Sequence, residues 1–205
     1  GQTDVEYQAQ HDRIIKSPVN RFDIFPETNF IDIATDDGDV IVKLMGFGDK
    51  LLQFKKEALY IVNVSGDFEY LENKYKYMGI EAPYAATEFE GGIAWVNTNG
   101  YYLYDGEKIT NIIDGRLNRG FRASSTNPAE SVPGWSEFLG KTGMISYLPH
   151  LKHLVIMEDP SGHSTGDVLV FDLTTQSWTR GIDKVSNAGK SNSVSTQDYP
   201  MLYLT

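Results

Sequence analysis

Gly162-His163-Ser164-Thr165-Gly166 has the G-x-S-x-G spacing of a serine nucleophile elbow. An elbow needs a strand before the serine and a helix after it, so that the hydroxyl stands exposed on a sharp turn. Here the residues that follow, Asp167 to Asp172, read as a strand. The histidine that would take the serine proton should lie downstream, and none follows His163. The segment therefore reads as a polar hairpin loop. Ala188-Gly189-Lys190-Ser191 resembles the end of a phosphate loop, but the first glycine of that motif would fall at Lys184. A turn between structural units is the expected outcome.

Metal and acid–base chemistry fare no better. His150 and His153 are three apart, a spacing that points them to opposite faces of a strand. His11 and His163 are isolated. Asp36, Asp37 and Asp39 surround Gly38, yet Phe47 and Gly48 stand where a calcium loop would carry its glutamate. A hairpin turn is expected there, with calcium binding as the secondary reading. A glycosidase would need paired carboxylates across a pocket. Glu88 with Glu90, or Glu158 with Asp159, are the pairs to nominate, and the S-x-D-x-G-x-x-W turns of sialidase propellers do not occur. Asn63-Val64-Ser65 is a glycosylation sequon, but it sits on an expected strand. No catalytic, cofactor-binding or metal-binding residue is assigned. The chain is expected to be no enzyme and to need no cofactor.

The elements that would position any site are short. The chain has 205 residues, 40% hydrophobic and 12% aromatic, enough for a buried core. Only 22% are charged, 19 are glycine, and the net charge is −10. Phosphate binding normally shows a basic surface, so specific nucleic-acid binding is not expected, nor is an anionic membrane. There are no cysteines, which excludes disulfides, thiol catalysis and cysteine-held metals. Apolar runs such as Leu154 to Met157 are too short to span a bilayer. Residues 1–20 are polar, so no signal peptide is expected.

Three strong strand pairs stand out: Leu51–Phe54 with Leu59–Val62, Ile93–Val96 with Tyr101–Tyr104, and Leu154–Met157 with Val168–Phe171. Each reads as an antiparallel hairpin. Asn97 to Gly100 supplies turn residues that tolerate positive φ, and Ser161 to Gly166 a longer loop. Weaker strands flank each pair. Asp39–Leu44, Tyr84–Phe89 and Met144–Leu148 precede them; Phe68–Leu71, Ile109–Ile112 and Gln176–Thr179 follow. The unit is four short strands, and it recurs: Phe54 to Trp95 is 41 residues and Leu59 to Tyr101 is 42. That period points to an all-β fold of β-propeller blades. The next spacing, Trp95 to Ile156, is 61, the excess lying in a Gly/Ser/Asn/Pro-rich insertion.

The expected organisation is one propeller-type domain over 1–205. A partial blade covers 1–35, full blades cover about 36–75, 80–114 and 143–182, and a partial blade covers 190–205. Residues 115–142 form an inserted loop, with a turn or two of helix near Trp135 to Leu139. Trp95, Tyr101, Tyr102, Tyr104 and Trp178 are expected to pack blade against blade. A stack of this length is thin for a closed ring, so a fragment of a longer polypeptide is favoured over closure by the two partial blades.

Two resemblances follow from these residues. Asp167 to Thr179 resembles the outer hairpin of a kelch-type blade, with a D-x-x-T-x-x-W turn at Asp172, Thr175 and Trp178. More broadly, Ser17-Pro18, Phe25-Pro26, Asp37 to Ile41, Lys50 to Lys56, Gly91 to Asn97 and Gly100 to Gly106 occur in one order. This succession, over roughly 12–180, resembles propeller-bearing nozzle or tail-tube proteins of tailed bacteriophages. The resemblance implies a virion tail component, made in the host bacterial cytoplasm. Its partners would be other tail proteins and copies of itself in a ring around the DNA channel. No residue-level site carries over. The alternative is a carbohydrate- or receptor-binding propeller taking a host-surface glycan, and behind it a glycan hydrolase.

Overall fold

A computed structural model describes residues 12–33, 37–66, 68–113, 133–140, 142–158, 165–186, 193–194 and 203–204. The protein is all-β, built mainly from three four-stranded antiparallel meanders. A two-stranded ribbon precedes them, β1 (Ile14–Ile15) with β2 (Phe30–Ile31). The first sheet holds β3 (Ile41–Phe47), β4 (Lys50–Lys55), β5 (Ala58–Asn63) and β6 (Tyr70–Lys76). The second holds β7 (Ala86–Phe89), β8 (Gly92–Asn97), β9 (Gly100–Tyr104) and β10 (Ile109–Asn111), entered by a 3-10 turn at Pro83–Ala85. One short helix, α1 (Trp135–Leu139), leads to the third sheet. That sheet holds β11 (Met144–Leu148), β12 (His153–Met157), β13 (Thr165–Asp172) and β14 (Ser177–Ser186). A second ribbon pairs β15 (Ser193–Val194) with β16 (Tyr203–Leu204). Among the described residues the sheets do not close into a ring.

The two middle strands of each sheet are apolar at successive positions because both of their faces are covered. Every residue of β5 is buried, and β8 is buried from Gly92 to Val96. One hydrophobic cluster runs through all three sheets, taking in Phe54 and Leu59, then Trp95 and Tyr101, then Ile156 and Phe171. Residues that repeat in sequence meet in space: Phe54 and Trp95 pack edge-to-face with ring centroids 5.3 Å apart. Tyr101 meets the third sheet in the same way, edge-on to Phe171 and Trp178. The far face of the first sheet is covered by the β1–β2 side, where Ile31 and Ile33 pack with Ala58, Tyr60 and Val62.

The third-to-fourth strand connections share a device. Asn63, Asp105 and Asp172 each begin the turn and accept nearby backbone N–H groups through a side-chain oxygen. The Asn97–Gly100 turn departs from the sequence expectation. None of its residues has positive φ. Instead the Asn97 Oδ1 accepts the amides of Asn99 (2.9 Å) and Gly100 (3.0 Å), so a side chain closes the turn that a left-handed backbone was expected to close. Gly92 is the position where glycine is obligatory. Its φ is +150°, and an added Cβ would lie 1.8 Å from the Tyr104 carbonyl oxygen.

Strand β6 is an outer edge, and its register with β5 slips between Ile61 and Val62, leaving Glu72 as the extra residue. That bulge, with exposed Glu72, Lys74 and Lys76, blunts an edge that would otherwise template another strand.

The Tyr101 hydroxyl is fully buried and has no hydrogen-bond partner among the described residues, and burial pushes its pKa well up. An unmet buried hydroxyl costs stability. Tyr101→Phe is therefore expected to raise unfolding free energy by about 1 kcal/mol in urea melts; a loss would contradict this packing.

Candidate functional site

Polar groups gather at one end of the first two sheets, where the β4–β5 and β8–β9 turns meet the loop from β6 to the 3-10 turn. The Asn97 side chain organises it. Its Nδ2 donates to the carbonyls of Tyr77 (3.0 Å) and Gly79 (2.9 Å), while Oδ1 holds its own turn. Asn99 Nδ2 also donates to the Tyr77 carbonyl. The Tyr77 amide donates to the Glu57 carbonyl at 2.7 Å, and the Ile80 amide to the Lys55 carbonyl at 3.0 Å. Gly79 passes so close to the β4–β5 turn that a Cβ would lie 2.2 Å from the Lys56 carbonyl oxygen. From the other side, Trp135 of α1 donates its indole N–H to the Asn97 carbonyl at 2.7 Å.

These bonds fix Tyr77 in a left-handed backbone, φ 65°, with its side chain outward. The residue is 68% exposed. Two clefts share it as a wall. One, of about 310 Å³, lies between Glu81, Thr98 and Asn99; the other, of about 450 Å³, lies between Gly38, Lys74 and Lys76. Lys56 and Glu57 of the β4–β5 turn line both.

Beneath the larger cleft is a charged lock. Lys55 is 0% exposed, and its Nζ donates to Asp37 Oδ1 at 2.7 Å. Asp37 Oδ2 accepts the Tyr60 hydroxyl at 2.7 Å. Burial pushes the Asp37 carboxyl up, but the donors from Lys55, Tyr60 and the Asp39 amide outweigh it and hold it below the usual carboxylate range. Burial and the neighbouring Asp37 push the Tyr60 phenol far up. Asp39 accepts the amides of Val40, Lys56 and Glu57. The Asp37 and Asp39 oxygens thus hold the β4–β5 turn in place; Asp36, the third aspartate of that segment, for which a hairpin turn was expected and calcium binding was the secondary reading, lies outside the described residues. Among the described residues no three His, Asp or Glu side chains come together as a metal site.

The other sequence candidates are scattered. His150 lies in the turn after β11, not on a strand, while His153 begins β12 with Nε2 3.9 Å from Asp172 Oδ2. Glu88 is exposed on β7, and Glu90 is 3.4 Å from Lys152 Nζ. Glu158 accepts the Asp167 amide at 2.6 Å, capping the β12–β13 ladder. Asn63 of the sequon is buried and bonded to Glu72 and Ser65. Residues 162–164 of the serine motif, Asp159, His11, His163 and residues 188–191 lie outside the described residues.

Sequence reasoning did not single out Tyr77 or the Asn97 clamp. Asn97 was visible only as a turn former, and Lys55-Lys56 only as a broken basic pair. In space Lys55 goes inward and Lys56 outward. Neither a protein-family model nor a curated protein matches the chain.

Proposed function

We propose that the chain is a non-enzymatic structural module of a bacteriophage tail, a nozzle or tail-tube component whose sheets are successive β-propeller blades. It would act in the virion as a rigid scaffold, contacting copies of itself and other tail proteins. The observation that carries this reading is the stack itself. Three like-sized antiparallel meanders lie in sequence, and one apolar cluster passes through all of them. That is how blades exclude water from one another. The outward face of the leading ribbon supports the contact role. Ile14 is buried and its register partner Ile31 packs on the first sheet, so Ile15 and Phe30, on the opposite face of the ribbon, are exposed. Val19, Phe22 and Phe25 in the intervening loop are exposed too. Apolar groups gathered this way mark an association surface. The Lys16–Glu69 ion pair ties the ribbon's loop to the entry of β6, where Phe68 before the strand and Tyr70 at its start are also exposed.

Sedimentation velocity of the full chain is expected to show concentration-dependent assembly, with rings in negative-stain images. The double variant Phe22→Ser, Phe25→Ser is expected to shift the population toward monomer. A wild-type chain that stays monomeric at about 100 μM, well above typical subunit dissociation constants, would overturn the proposal.

A further inference from the structure

Tyr77 stands on a ridge between two clefts of different chemistry, and its conformation asks for a reason. A non-glycine residue in the left-handed region carries strain, and such strain concentrates at ligand clamps. Here three hydrogen bonds over-determine that backbone, from the Tyr77 amide to Glu57 and from Asn97 and Asn99 to the Tyr77 carbonyl. The product is an aromatic side chain carried on a fixed backbone and left in water. We infer that Tyr77 and its two flanking clefts form a binding site for an acidic oligosaccharide.

The larger cleft supplies the charge preference. Lys56, Lys74 and Lys76 line it, in a chain whose net charge is −10. None of the three has an ion-pair partner among the described residues; Lys74 rests over the Tyr60 ring, 4.8 Å from its centroid. The aspartates of the same cleft are already engaged, Asp37 by Lys55 and Tyr60, Asp39 by three backbone amides. Glu57 and Asp39 keep negative charges with no described ion-pair partner, and the three lysines outnumber them. The free charge is therefore positive, matched to a sugar carboxylate.

The smaller cleft supplies hydroxyl recognition. Glu81 and Thr98 have no described side-chain partner, so their oxygens remain open to sugar hydroxyls. Asn97 is saturated and rigid, which preorganises the wall at no cost on binding. Between the clefts, the exposed ring of Tyr77 offers an apolar face to the C–H face of a pyranose, with a hydroxyl that has no partner among the described residues. The two volumes fall in the range of small-ligand sites, and together they suit more than one sugar residue. The site makes no use of the ribbon face or of assembly, so it stands or falls apart from the tail reading.

The test is titration of the full chain with a galacturonic-acid tetrasaccharide, followed by amide chemical shifts. Resonances of Lys56, Tyr77 and Asn99 are expected to move. Tyr77→Asn, which tolerates the same left-handed backbone, is expected to weaken binding about tenfold with an unchanged thermal midpoint. Lys74→Gln with Lys76→Gln is expected to lower affinity to that of the matched neutral galactose tetrasaccharide. Three outcomes would overturn the inference: no shifts at about 5 mM sugar, an unchanged affinity in folded Tyr77→Asn, or equally tight binding of a short single-stranded DNA.

Discussion

Asp37→Ala is expected to cost about 3 kcal/mol of folding stability, because it withdraws the carboxylate 2.7 Å from an ammonium that has no access to water. The asymmetry of the pair makes the prediction specific. The Asp37 side chain keeps 23% of its exposure and Lys55 keeps none, so the aspartate tolerates isolation better than the lysine. Asp37→Asn preserves the shape and should cost nearly as much, since it is the charge that is missing. Lys55→Met with Asp37→Asn should recover most of the loss, as apolar replacement of a buried pair often does. Urea melts of the wild type, Asp37→Asn, Lys55→Met and the double variant form a double-mutant cycle, and a coupling near zero would contradict the lock.

The same pair sets a pH dependence. Asp37 titrates in the fold below its ordinary value of 3.8. A carboxyl depressed by folding contributes stability in full above the unfolded pKa and loses it as pH falls through the folded one. The wild-type advantage over Asp37→Asn should therefore be constant at neutral pH and shrink below about pH 4. Melts at pH 7 and pH 3 measure the difference; an advantage that grows in acid would reverse the sign.

Trp95→Ala is the second large effect, expected at about 3–5 kcal/mol. Trp95 is 0% exposed and sits at the centre of β8. It meets Phe54 of the first sheet edge-on and stacks on Tyr102 of its own sheet at 5.3 Å and 27°. Removing it opens a cavity between two sheets that rigid strands cannot close. Its indole N–H has no partner among the described residues, so Trp95→Phe removes an unmet donor along with some volume and should cost only about 1 kcal/mol. Comparable losses in the two variants would mean that the contact carries less than the geometry says.

Much of this architecture was legible beforehand. The strong hairpins stand out because continuous burial makes β4–β5, β8–β9 and β12–β13 apolar at every step. The short helix was visible as Trp135 to Leu139, an apolar i, i+3, i+4 set bounded by Gly134 and Gly140. Flanking strands were blurred at their ends. The expected Phe68–Leu71 strand runs instead from Tyr70 to Lys76, because Glu72, Lys74 and Lys76 hide an outer strand behind a polar pattern. The clefts were not legible at all. Their walls come from turns some 20 residues apart in sequence, such as Tyr77 and Asn97, joined by side-chain-to-backbone bonds that leave no periodic trace. Nor does composition reveal which member of Lys55-Lys56 is buried. That depends on Asp37 and Tyr60 arriving from other parts of the chain.

Lys43 joins the first two sheets by another route. From β3 its ammonium donates to the carbonyls of Pro83 (2.8 Å) and Ala86 (2.6 Å), at the entry to β7. Burial pushes its pKa down. While charged it opposes folding, and that opposition fades as pH rises through the folded pKa toward the unfolded one. A neutral amine still carries two N–H bonds, one for each carbonyl. The cross-brace therefore survives loss of its proton. Alkaline solution would relieve the desolvation of the cation without unfastening the rivet, and sliding of one sheet past the other would stay resisted in base.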